Sequence, residues 1–188
     1  GYYTTKVGRA SANVSDRQYF IDIMKEGKDV SITDPMISRS TGAKKFNVAV
    51  PVRNSRDEVI GCLVGSINLQ TMSGIAGNIR IENSGYGFIV DSKGQIVAHP
   101  NTGYVMKMNL TASDTLGYSG LDEIGKTMLN TASGGGPITR PDGVTEYILY
   151  QAIPKSPGWK LCTAVPEKEL FAGIYNLLNT IILLFVIT

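Results

Sequence analysis

Short apolar runs alternate with polar, glycine-containing turns along the first half of the chain, and this pattern predicts strands with few helices. Tyr2 to Thr5 and Arg9 to Val14 flank Lys6-Val7-Gly8, a short glycine turn of the kind that joins hairpin strands. Ser15-Asp16 offers an N-cap before Arg17 to Lys25, where Tyr19, Phe20, Ile23 and Met24 recur at helical spacing. Val30 to Thr33, Phe46 to Val52 and Val59 to Ile67 read as strands. They are separated by Ser40-Thr41-Gly42 and by the polar turn Asn54-Ser55-Arg56-Asp57. Leu69 to Ala76 begins another helix.

The same order returns after Asn83-Ser84-Gly85. Phe88 to Val90, the turn Asp91-Ser92-Lys93-Gly94 and Gln95 to Ala98 predict a second hairpin, and His99-Pro100-Asn101 falls where Ser15-Asp16-Arg17 fell. Leu121 to Ala132 reads as a helix, Gly134-Gly135-Gly136 as a loop and Glu146 to Ile153 as a strand. Lys155-Ser156-Pro157-Gly158 then turns the chain into a strand from Trp159 to Val165. Val59 to Ile67 leads into the helix at Leu69 as this last strand leads into a helix at Glu167. The expected class is α+β: two tandem lobes over residues 1–80 and 81–166, each an antiparallel sheet with flanking helices, then a C-terminal helix over 167–188.

The stretch from Leu177 to Thr188 is almost wholly apolar, and its length suits the first half of a membrane helix, with a buried C-terminal core helix as the alternative. Gly1-Tyr2-Tyr3-Thr4-Thr5 opens without a signal-peptide pattern, so an upstream segment is expected as well. The 188 residues, 43% of them hydrophobic, are enough for real cores. A net charge of +2 without an arginine-rich block speaks against a nucleic-acid partner. Two distant cysteines, Cys62 and Cys162, each flanked by apolar residues, supply neither a metal cluster nor a disulfide framework; buried strand positions are expected for both, with a disulfide between them as the alternative.

Catalysis is not expected. His99 is the single histidine, and no serine lies in a nucleophile-elbow pattern; a hydrolase would need a serine or cysteine and an acid to converge on that ring. Gly134-Gly135-Gly136-Pro137 lacks the lysine and hydroxyl residue of a phosphate-binding loop, and Asp114, Asp122 and Glu123 lack calcium-loop spacing, so no cofactor or metal is expected.

An ordered series of motifs spans nearly the whole chain: Ser15-Asp16-Arg17-x-Tyr19-Phe20, Thr33-Asp34-Pro35, Ser40-Thr41-Gly42, Val50-Pro51-Val52, Ile60-Gly61, Gly85-Tyr86-Gly87-Phe88-Ile89-Val90-Asp91 and Ala98-His99-Pro100. The series resembles the double Cache domains of bacterial membrane receptors. That resemblance implies two PAS-like lobes between membrane spans, an extracytoplasmic location, a homodimer, and a small molecule held in the membrane-distal lobe. A chemotaxis receptor is the expected whole protein, with a sensor histidine kinase or a cyclic-dinucleotide enzyme as alternatives.

In the amino-acid-binding members, an arginine followed by two aromatics grips the ligand carboxylate, and Arg17, Tyr19 and Phe20 match that element. Thr33, Asp34, Met36, Ser38, Asn47 and Ser66 complete the expected site, covered by the loop from Ser31 to Thr41. The family tyrosine after Asp34-Pro35 is Met36 here, and the aspartate that holds an amine is Ser66. A small carboxylate or a pyrimidine such as uracil therefore fits better than an ordinary amino acid. The competing reading pairs Arg17 with Asp16 or Asp34, puts Tyr19 and Phe20 in the core, and makes the chain a structural surface module. In the second lobe, Tyr86, Phe88, His99 and Tyr147 fit either the lining of a smaller cavity or a packed sheet face, and packing is expected.

Overall fold

A computed structural model describes residues 2–5, 8–38 and 41–172. The chain divides into two compact units, Gly1–Thr71 and Met72–Thr188. The apolar stretch from Leu177 lies outside the described residues, and no described helix is long and apolar enough to cross a membrane.

In the first unit, β1 (Tyr2–Thr5) and β2 (Gly8–Asn13) form the expected antiparallel hairpin, with Thr5 opposite Gly8. Helix α1 (Gln18–Met24) lies within the expected Arg17 to Lys25. Its N-cap is Arg17, which makes no side-chain cap bond, rather than Ser15 or Asp16. The reason is local: the Ser15 N–H donates to Asn13 Oδ1 and the Arg17 N–H to the Val14 carbonyl, so a turn precedes the helix.

Strands β3 (Ser31–Ile32), β4 (Met36–Ile37), β5 (Lys44–Arg53) and β6 (Val59–Asn68) make an antiparallel sheet. β6 pairs with β5 along its length while β3 and β4 share the other edge, so the segment expected as a loop over the ligand is partly pinned to β5 through Met36 and Ile37. The β5–β6 turn closes on Asn54, whose Oδ1 accepts from the N–H groups of Arg56 and Glu58. α1 packs on β3, β5 and β6 through Ile23 and the buried Asp22. The Asp22 carboxylate accepts from Gln18 Nε2 (2.9 Å), Lys28 Nζ (2.8 Å) and Ser31 Oγ (2.5 Å). Burial pushes this carboxyl up, but the hydrogen bonds from Lys28, Ser31 and Gln18 outweigh it and hold the group below its ordinary value.

Helix α2 (Leu69–Gly77) leads into the second unit. There β7 (Arg80–Ile81), β8 (Gly85–Val90), β9 (Ile96–Ala98), β10 (Ser133–Thr139), β11 (Thr145–Ala152) and β12 (Lys160–Pro166) form one antiparallel sheet in the order β10-β11-β12-β8-β7, with β9 on β8. The β8–β9 hairpin is the one expected, closed by Asp91, whose Oδ1 accepts from the N–H groups of Lys93 and Gln95. Two 3-10 segments, Thr102–Tyr104 and Leu110–Leu116, then lead to α3 (Leu121–Asn130). Helix α4 (Glu167–Leu170) follows β12, and its Glu169 carboxylate accepts from the N–H groups of Asn83 and Ser84, tying it to the β7–β8 turn.

Phe88, Val90, Ile96, Leu110, Met128 and Cys162 lie at the heart of the second core. α3 buries Leu121, Gly125 and Met128, four and three residues apart on one stripe. Gly125 stands so close to the second 3-10 segment that an added Cβ would lie 2.8 Å from the Leu110 carbonyl carbon. Gly125→Ala is expected to push α3 off that segment and cost about 1–2 kcal/mol, read as a lowered denaturation midpoint with an unchanged slope.

Gly134-Gly135-Gly136, expected as a loop, is the middle of β10. It pairs opposite Tyr150, Leu149 and Ile148 of β11, where a Cβ on Gly135 would meet the Ile148 carbonyl oxygen at 2.1 Å and one on Gly134 the Tyr150 hydroxyl at 2.5 Å. Gly134 and Gly135 are a packing requirement of the edge strand, whereas a Cβ on Gly136 would only touch Ile124 at 3.5 Å. Trp159, before β12, is buried at 3% exposure. Both cysteines are free thiols; Cys162 is buried as expected, whereas Cys62 on β6 is only partly covered.

Candidate functional site

Strand geometry gathers a polar string on one face of the β5–β6 pair. Lys45 and Asn47 are two residues apart on β5 and share a face, and Asn47 stands directly across from Ser66 on β6. Lys45 Nζ donates to Ser66 Oγ (3.2 Å), which donates to Asn47 Oδ1 (2.8 Å). The Asn47 main chain is locked to Thr33: its N–H donates to Thr33 Oγ1 (3.0 Å) and its carbonyl accepts the Thr33 N–H (2.9 Å). Ser31, beside Ala49 in the same sheet, bonds to Asp22 of α1.

The residues expected at the site divide accordingly. Asn47, Ser66 and Thr33 are brought together. Ser38 is buried in a turn, with its N–H donating to the Ala43 carbonyl, and Met36 is half-buried opposite Lys45. Asp34 is exposed. Arg17 caps α1 with its side chain 48% exposed and its Nε 3.9 Å from Asp16 Oδ1, while Tyr19 and Phe20 are half-buried on α1. Lys45 was missed in the sequence, where a lysine on a strand reads as solvated surface.

A concavity lies wholly within the second unit. Tyr86, His99, Tyr104, Tyr118, Arg140 and Asp142 line a cleft of about 580 Å³. Of the residues expected to pack there, Tyr86 and His99 face this cleft and Phe88 lies in the smaller cavity beneath it. Tyr147 instead stacks edge-on with Phe171, ring centres 5.7 Å apart. The imidazole is 8% exposed, at 5.2 Å from the Tyr86 ring and 5.0 Å from that of Tyr104. Its Nδ1 accepts the Asn101 N–H (2.8 Å), which orients the ring. Burial pushes the imidazole down to about 4, so it is neutral at ordinary pH.

Comparison with known proteins places these features in context. A family model described as a Cache domain matches residues 2–174. The chain is 23% identical over 160 residues to the methyl-accepting chemotaxis protein PctB of Pseudomonas aeruginosa, covering 82% of this chain and 25% of that protein. It spans about a quarter or less of the curated relatives it matches. Among solved structures, the extracellular domain of a protein described as a histidine kinase, mmHK1S-Z3, superposes with a TM-score of 0.67 at 20% identity, covering 90% of this chain and 61% of that one. The ligand-binding domain of the Pseudomonas fluorescens chemoreceptor CtaA, in complex with L-isoleucine, gives 0.62 at 19% identity, covering 92% and 64%. At these identities the superpositions establish the fold.

Proposed function

From the premise that this chain belongs to the Cache domain family, we propose that it is the extracytoplasmic sensor part of a bacterial membrane chemoreceptor and that its first unit binds a small carboxylate. The lysine at Ser66 carries this ligand class. Where an ammonium-bearing ligand needs an anion, the β5–β6 face presents Lys45 Nζ, 3.2 Å from Ser66 Oγ, beside the uncharged Asn47. A carboxylate gains a charge-assisted bond there, whereas an ammonium meets a like charge. Arg17, half-exposed at the start of α1, supplies a second cation for the same ligand, with Tyr19 and Phe20 as apolar walls and Thr33, Asp34, Met36 and Ser38 on the covering segment.

The relatives support the receptor reading: PctB is a chemotaxis protein, and CtaA was solved with an amino acid. In this reading residues 1–80 form the membrane-distal PAS-like lobe, 81–166 the proximal one and 167–188 the exit into the membrane, in a homodimer. Ligand shifts an equilibrium between two arrangements through its differential affinity for them. A sensor histidine kinase is the second reading, favoured by the likeness to mmHK1S-Z3.

The matched pair L-lactate and L-alanine tests the ligand class, since the two differ only in hydroxyl against ammonium. Lactate near 100 times its dissociation constant is expected to add about 2.7 kcal/mol and raise the melting temperature by about 5–10 °C, with little effect from alanine. Lys45→Ala is expected to weaken lactate about tenfold. Stronger stabilisation by alanine, or by uracil, would reject the carboxylate assignment.

A further inference from the structure

We propose that the cleft of the second unit is an independent ligand site that takes a small organic cation bearing an oxygen acceptor.

Four separate segments converge on this cleft: β8 through Tyr86, the stretch after β9 through His99 and Tyr104, the link between the second 3-10 segment and α3 through Tyr118, and the β10–β11 turn through Arg140 and Asp142. Its volume of about 580 Å³ falls within the range of small-molecule sites. Beneath it lies Glu146, 2% exposed, reached past Tyr86, His99, Tyr104 and Tyr118, which line both levels.

The charge balance decides the ligand class. Arg140 Nη1 donates to Glu146 Oε1 (3.0 Å), and its Nη2 pairs with Asp142. One guanidinium thus faces two carboxylates. The remaining polar wall is neutral, because the buried imidazole is unprotonated and burial with the nearby Glu146 carboxylate pushes the Tyr86 phenol up. Counting the buried Glu146 of the cavity beneath, two carboxylates stand against one guanidinium, and an anion entering the cleft would have to displace Asp142 from Arg140. Three electron-rich tyrosine rings wall the same space, and ring faces attract alkylammonium groups most strongly where water is displaced.

His99 adds a direction. Since Nδ1 accepts from the Asn101 N–H, the neutral ring carries its proton on Nε2, and the residue lines the cleft. A donor placed in this way at a cleft selects a ligand oxygen, whether hydroxyl, ether or carbonyl. Aromatic packing holds it there, with Phe88 5.6 Å from the imidazole in addition to Tyr86 and Tyr104.

Calorimetric titration of the chain with choline, against its neutral carbon isostere 3,3-dimethylbutan-1-ol, tests the site. Choline is expected to bind at least about tenfold more tightly than the isostere. Tyr118→Leu should weaken choline about tenfold and Asp142→Asn, at an exposed turn position, about threefold. Circular dichroism checks that Tyr118→Leu folds, and the Asp142→Asn result stands if it does not. Lys45→Ala should leave choline binding unchanged, which separates this site from the carboxylate site of the first unit. Equal affinity for choline and the isostere, absence of heat with both choline and tetramethylammonium, or loss of choline binding in Lys45→Ala would each overturn the proposal.

Discussion

Between about pH 7 and about pH 4.5 the second unit is expected to lose about 2–3 kcal/mol of stability through His99 alone. In the unfolded chain the imidazole takes up a proton near its ordinary 6.5, whereas in the fold burial holds it neutral down to about 4. Within that window the unfolded state binds more protons, so stability falls as pH falls and is fully present above 6.5. The carboxylates held below their ordinary values, Asp22, Asp122, Asp142 and Glu169, act lower on the scale: their contributions are lost only as pH falls past the ordinary carboxylate range. Urea denaturation at a series of pH values checks this. His99→Asn keeps an acceptor near the Asn101 N–H and removes the titration, so its stability should be flat over the upper part of the window. An equally steep loss in that variant would place the proton uptake elsewhere.

Asp22→Ala is expected to cost the first unit about 2–3 kcal/mol. The carboxylate is 5% exposed and is the shared acceptor of three donors, so truncation leaves the buried Ser31 hydroxyl without its partner and detaches α1 from β3. Lys28 is half-exposed and also pairs with Glu26 (2.9 Å), so it turns to water and Glu26, and the cost stays below that of a fully buried broken ion pair. Equilibrium unfolding measures the loss. Asp22→Asn, which retains an acceptor for Ser31 but not the charge, should recover part of it. A loss under about 0.5 kcal/mol in the alanine variant would mean that α1 is held by Ile23 and its apolar neighbours alone.

How far the sequence could be read depends on how local each signal is. β5, β6, β11 and β12 were visible as apolar runs bounded by polar turns, and both hairpins by the glycines between their strands. α3 showed because one stripe, Leu121 to Met128, must be buried. β10 was hidden since its three glycines carry turn chemistry in isolation, and only the approach of Tyr150 and the Ile148 carbonyl explains Gly134 and Gly135 as strand. β4 is two residues long and exists through its pairing with Lys44 and Lys45. At the candidate site, Asn47 and Ser66 were legible through the family pattern. Lys45 was not, because its meaning comes from the cross-strand register that puts it on Ser66. Of the cleft of the second unit, Tyr86 and His99 were legible as the lining of a smaller cavity, whereas Tyr104, Tyr118 and Arg140 were not, because they come from stretches that no periodicity links.

Trp159 is the single tryptophan in the chain, and it is buried in the second unit. Indole emission excited selectively at the red edge therefore reports on that unit alone and is silent to opening of Gly1–Thr71, whose aromatic residues are tyrosine and phenylalanine. One fluorophore already in the chain thus separates the two transitions without labelling: an amide circular dichroism change that precedes the red shift of the emission belongs to the first unit, and a simultaneous one means that the units unfold together.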